Sequence, residues 1–106
     1  MKLAHHQGLT VEYWNTISFA KQLLNVGSEI SRARNAKRIG DMNQEKRAYE
    51  RALELIDLTI ETVHNTAQLR EIQLLREAIA SLMIKSDFNI SLDALYRYLL
   101  QFSALK

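Results

Sequence analysis

Three apolar seams along the chain share one rhythm, alternating steps of three and four residues. The first is Phe19, Leu23, Val26, Ile30 and Ala33; the second is Tyr49, Leu53, Ile56, Ile60 and Val63; the third is Ile72, Leu75, Ile79 and Leu82. A repeat averaging about 3.5 residues keeps one helix face turned towards a partner, so each seam predicts a long amphipathic helix. Leu92, Leu95, Tyr96, Leu99 and Phe102 predict a shorter fourth. Polar positions fill the remaining faces. Gln22, Asn25, Glu29 and Arg32 give the first helix a watered side. Arg47, Glu50, Glu54, Asp57 and Glu61 do the same for the second, with Arg47–Glu50 and Arg51–Glu54 spaced to pair.

Punctuation between the seams sets the boundaries. Asn15 and Thr16 are good N-cap types for the first helix. It closes with Lys37 and Arg38, cations that complement the macrodipole, and then Gly40, which is free to take positive φ. Asp41 with Gln44, and Asn65 with Gln68, read as capping boxes. Ser86-Asp87-Phe88-Asn89 breaks the third helix and Ser91 caps the fourth. The predicted helices are 16–39, 42–64, 66–85 and 91–104. Short loops force antiparallel neighbours, and the repeat favours crossing near about +20°. The expectation is an all-α fold, a single antiparallel four-helix up-down bundle over 16–106 with a short N-terminal arm over 1–15. In the arm, Val11, Tyr13 and Trp14 are apolar anchors and Trp14 plugs one end of the core. His5 and His6 read as a solvated tail.

Beside the seams run second stripes. Ala20, Leu24, Gly27 and Ser31 are small enough in their lower half to let another backbone come close. Glycine in mid-helix costs about 1 kcal/mol relative to alanine, which points to tight packing there, within the bundle or across a dimer. Ala48, Ala52, Leu55, Thr59 and Thr62 form the second stripe of the next helix. Leu58, Ile84 and Tyr98 stand outside all the seams. A symmetric dimer that covers such surplus apolar surface is the expected assembly.

Composition narrows the chemistry. The 106 residues make one domain, large enough for a core without staples. The absence of cysteine excludes disulfides, thiolate catalysis and cysteine-held metals. Proline is absent and there are three glycines, as befits a helical chain. No apolar run approaches the ~18 residues of a membrane span, and MKLAHHQG lacks a signal-peptide core. The expectation is a soluble cytoplasmic protein with no membrane partner and no cofactor. A net charge of +2 does not by itself require a polyanion.

Three chemical constellations can be tested on the residues. Glu61-Thr62-Val63-His64 matches the Glu-x-x-His element of di-iron bundles, but such a site needs a second copy and two further glutamates facing inward. Here Glu61 continues the watered row, and His64 reads as a helix-end cation. No Ser–His–Asp set and no glycine-rich phosphate loop is present. Seven of the fourteen lysines and arginines fall between Arg32 and Arg51. Arg34, Lys37, Arg38, Lys46, Arg47 and Arg51 would make a basic rim around the first helix–helix turn, suited to phosphates if all share one exposed surface.

Gly40, Tyr49, Ala52, Leu53, Glu54 and Leu55 resemble the second half of a tetratricopeptide repeat, though no second copy exists in the chain. The longer stretch GSEISRA…RALELIDLTI is similar to a group of small prokaryotic helical-bundle proteins with no assigned activity. The bundle also resembles HEPN domains, which serve as RNases or as partners of nucleotidyltransferases. Their catalytic arginine is followed by four to six residues and then a histidine. The corresponding positions before His64 are Asp57, Leu58 and Thr59, so the resemblance implies at most an accessory role. The function expected from the sequence is a non-enzymatic interaction module that self-associates or docks on another protein. The alternative is nucleic-acid binding through the basic rim, and a metal-dependent enzyme comes last.

Overall fold

The structure is a computed structural model that describes residues 5, 6, 8–84 and 91–102. It is all-α. Its elements are α1 (Val11–Trp14), α2 (Phe19–Arg38), α3 (Met42–Thr62), α4 (Thr66–Met83) and α5 (Leu92–Leu100), with no strand among the described residues. Among the described residues no helix is long and apolar enough to cross a membrane. The helices α2 and α3 form the central antiparallel hairpin. Against it α4 packs on α3, α5 packs on α2, and α1 lies across α3. This is the antiparallel four-helix bundle that the seams imply, with an arm that folds back onto it.

Side-chain caps fix the helix starts. Ser18, Asp41, Asn65 and Ser91 each accept the backbone N–H three residues on, from Lys21, Gln44, Gln68 and Ala94. Three of these caps are legible in the sequence. The first is not: Asn15 and Thr16 lie in the turn after α1, and the helix begins three residues later. At the α2–α3 turn Gly40 takes φ 78°, the left-handed conformation that side chains other than glycine resist. Helix α3 stops at Thr62 because Val63 is already extended, at φ −78° and ψ 143°. The expected ends at 85 and 104, and the break over Ser86–Asn89, fall outside the described residues.

The seams supply much of the core. On α3, however, Leu53, Ile60 and Val63 of the expected seam are half-buried, and the neighbouring stripe of Ala48, Ala52, Leu55, Thr59 and Thr62 turns inward with Tyr49 and Ile56. Leu23, Val26, Ile30 and Ala33 meet Ile56, Ile72, Ile79, Leu95 and Leu99, and all are fully buried. The small stripe of α2 faces α5. A β-carbon placed on Gly27 would stand 3.4 Å from Leu99 Cβ, ordinary van der Waals contact. Ala20 and Leu24 are half-buried against the same core. At the far end of α5, Phe102 makes edge-to-face contacts with Phe19 and Tyr98.

The arm finishes the other side. Trp14 is buried, and its indole N–H donates to Thr59 Oγ1 at 2.9 Å. Gln22 Nε2 donates to the Trp14 carbonyl at 2.9 Å and to Thr62 Oγ1 at 3.3 Å. These bonds satisfy polar groups that would otherwise be costly in the interior. Leu58, outside every seam, is buried as well. The surplus apolar faces of α2 and α3 are therefore covered by α5 and by the arm within one chain.

Candidate functional site

Beneath the arm, α2 and α3 gather a cluster of charges. Glu29 is buried, not on a watered face. Its carboxylate accepts from Arg51 Nε at 2.9 Å and from Arg32 Nη1 at 2.9 Å. Burial pushes the Glu29 carboxyl up, but the hydrogen bonds and charges of Arg51 and Arg32 outweigh it and hold the group below the usual glutamate range. Next to it, Glu54 accepts the backbone N–H of His5 at 2.9 Å. His5 Nε2 lies 3.3 Å from Glu50 Oε1. The His6 ring sits between two helices, with Nδ1 3.5 Å from Glu54 Oε1 and Nε2 3.7 Å from Glu29 Oε2.

This is the main departure from the sequence expectation. His5 and His6 are held on the hairpin rather than forming a free tail, His6 half-buried and His5 still exposed. Arg51 reaches across the hairpin to Glu29 rather than one turn along to Glu54. The periodicity assigned Glu29, Glu50 and Glu54 to water because a segment folding back from a distant part of the chain leaves no mark on a local pattern. Despite the number of carboxylates and imidazoles, no group of three or more among the described residues is arranged to hold a metal ion. Glu61 and His64 are exposed.

The basic residues divide into separate groups. Arg34, Lys37 and Arg38 line one open cavity of about 650 Å³ between α2 and the start of α5, together with Ser31, Asn35 and Ser91. Arg34 donates to Asp93 Oδ1 at 2.8 Å and lies over the Tyr96 ring, its Cζ 4.3 Å from the centroid. Arg38 donates to Asn35. Lys46 and Arg47 are exposed on the first turns of α3 and do not line that cavity. Arg51 is committed to Glu29. The six residues of the expected rim thus fall into three settings.

Of the apolar and small residues expected to pack or to dimerise, Gly27 faces Leu99 directly, and Ala20, Leu24 and Ser31 are half-buried. Large apolar side chains remain exposed elsewhere. Ile39 and Met42 flank the Gly40 turn, Ile84 ends α4, and Leu74 is 60% exposed in the middle of α4. Around Leu74, three- and four-residue steps place Ala67, Arg70 and Glu77 on the same face, all exposed. Elsewhere Asp57 accepts from Arg76 at 2.8 Å between α3 and α4, and Tyr49 is held protonated by burial and by its hydrogen bond to Glu45.

No family model, curated protein or solved structure is matched by this chain.

Proposed function

We propose that the protein is a non-enzymatic interaction module that self-associates through the outer face of α4. The observation that carries this reading is Leu74, an exposed leucine at the centre of a face bounded by a cation on one side and an anion on the other. If two copies of α4 lie antiparallel about a twofold axis at Leu74, leucine meets leucine. Arg70 of each copy then faces Glu77 of the other. A face that complements itself in this way is what a twofold interface requires. The second stripes of α2 and α3 are already covered within the chain, which leaves α4 as the long helix with an open apolar position at its centre.

One helix pair buries less than the roughly 800 Å² per partner of a standard interface, so the dimer belongs to the weak, concentration-dependent class. Sedimentation or light scattering over a wide concentration range tests it. The mass rises towards that of two chains for the native protein and stays at one chain for Leu74→Glu. A single-chain mass for the native protein at every concentration contradicts the reading.

A second reading rests on the cavity between α2 and α5. Arg34 in this concavity is taken by Asp93, which also lines it. Lys37 and Arg38, with two hydroxyls and an amide, suit phosphate groups, and the three cations are half of the basic rim anticipated for nucleic acid. Anisotropy of labelled RNA and duplex DNA across a salt series, with Lys37→Glu combined with Arg38→Glu, separates it from self-association. Binding that falls steeply with salt and is lost in the double variant supports it, and no binding at low salt removes it.

A further inference from the structure

We propose that the α2–α3 turn is a membrane-surface contact that seats Ile39 and Met42 among the headgroups of an anionic phospholipid bilayer. The turn itself needs neither side chain. Gly40 at φ 78° reverses the chain, and Asp41 caps α3 through the Gln44 N–H. Yet the positions on either side of that pair carry large apolar side chains, Ile39 67% and Met42 68% exposed. Ile39 is the C-cap of α2 and Met42 the first residue of α3, so both stand at the apex of the hairpin.

Cations surround the apex. Lys37 and Arg38 end α2, Lys46 and Arg47 lie on the first turns of α3, and all four are exposed. Among the described residues none of them is in an ion pair, and Arg38 donates only to the neutral amide of Asn35. Helix side chains lean towards the N-terminus, so Lys46 and Arg47 lean towards the apex. The carboxylates of the same stretch are Asp41 and Glu45. Asp41 is engaged in the cap, and Glu45 accepts from the Tyr49 hydroxyl at 2.9 Å, one turn further from the apex. Four open cations therefore outweigh two engaged carboxylates around an apolar point.

That combination selects the partner. Two copies meeting tip to tip would set cation against cation, so a second copy is not the occupant. A folded protein would have to supply a pocket for an apolar pair that projects from a turn. A fluid bilayer needs no such pocket. It takes apolar side chains at the headgroup boundary while lysine and arginine reach its phosphates. Nucleic acid answers the cations but leaves Ile39 and Met42 in water unless its bases unstack. Two apolar side chains and a small basic cluster make a weak anchor, so the contact is reversible and depends on anionic lipid. The expectation of no membrane partner follows from the lack of an apolar span and does not reach a surface contact.

Co-sedimentation of the full chain with vesicles tests the contact. The chain binds phosphatidylcholine vesicles containing about one third phosphatidylserine, and high salt weakens this several-fold. Vesicles of phosphatidylcholine alone bind it at least about tenfold less. Ile39→Ser combined with Met42→Ser lowers binding about tenfold or more, with helix content unchanged because both side chains are exposed. The chain has no cysteine, so an environment-sensitive dye on Met42→Cys reads insertion directly. Its emission shifts to the blue on the anionic vesicles, while the same dye on Glu61→Cys, at the other end of α3, does not shift. No association with the anionic vesicles at low salt overturns the proposal. So does binding undiminished in the double serine variant, which is adsorption by charge alone. Duplex DNA or RNA binding that is lost in that variant, without vesicle binding, overturns it in favour of nucleic acid.

Discussion

Glu29 of α2 and Arg51 of α3 are joined at 2.9 Å across the central hairpin, with the carboxylate almost closed to solvent and the guanidinium about a quarter open. The two residues lie twenty-two positions apart, so the bond fixes how α2 and α3 are rotated against each other. Breaking a buried pair from one side costs about 3–5 kcal/mol because the remaining charge is stranded. Here Arg32 stays on Glu29 and Arg51 reaches water, so Arg51→Ala is expected at about 2 kcal/mol, and Glu29→Ala at more. Urea unfolding followed by far-ultraviolet circular dichroism measures both.

Stability should also fall in acid, and Glu29 should account for part of the fall. Its folded carboxyl titrates below the usual glutamate value of 4.5. The unfolded chain therefore binds a proton at a higher pH than the folded one. The contribution is complete above that usual value and disappears as pH drops through the folded one. In Glu29→Gln the urea midpoint changes less steeply with pH across this window.

Trp14 is the chain's single tryptophan and is buried against Thr59. Its fluorescence should be blue-shifted in the native state and should red-shift in step with loss of helix, since the arm is part of the core. Thr59→Val keeps the volume but leaves the indole N–H unpaired, and is expected to cost about 1–3 kcal/mol. Trp14→Ala removes the plug and is expected to cost about 3–5 kcal/mol.

Gly27 separates helix propensity from packing. Leu99 Cβ leaves room for one methyl group at ordinary contact distance. Gly27→Ala is therefore expected to be neutral or to raise stability by up to about 1 kcal/mol. Gly27→Leu drives α5 away from α2 and is expected to lower stability by about 1–3 kcal/mol. Thermal unfolding of the two variants decides.

The bundle was legible because its information is local. The step pattern of Leu23, Val26 and Ile30, the caps at Asp41, Asn65 and Ser91, and the Gly40 turn all act within a few residues. The charged cluster was not legible because it depends on a fold-back. Gln22 and Glu29 sit two turns apart on a face that reads as polar, and nothing within α2 says that Trp14 and His6 will cover it. Leu58 shows the same gap from the apolar side: it reads as surplus surface and is buried in the core. For the basic residues, spacing placed Arg34, Lys37 and Arg38 on adjacent turns correctly. It could not foresee that Arg51 would turn inward to Glu29 or that Asp93 would reach Arg34.

The self-association of α4 is most directly tested by a pair of charge reversals. If Arg70 faces Glu77 across a twofold axis, Arg70→Glu alone sets four carboxylates against one another, and Glu77→Arg alone sets four cations together. Each variant is then monomeric by sedimentation at concentrations where the native chain dimerises. Mixed in equal amounts, they restore both ion pairs, and the mass of a mixed dimer should return, weakened by added salt. Variants that dimerise singly as the native chain does, or a mixture that stays monomeric where the native chain dimerises, would contradict the α4 interface.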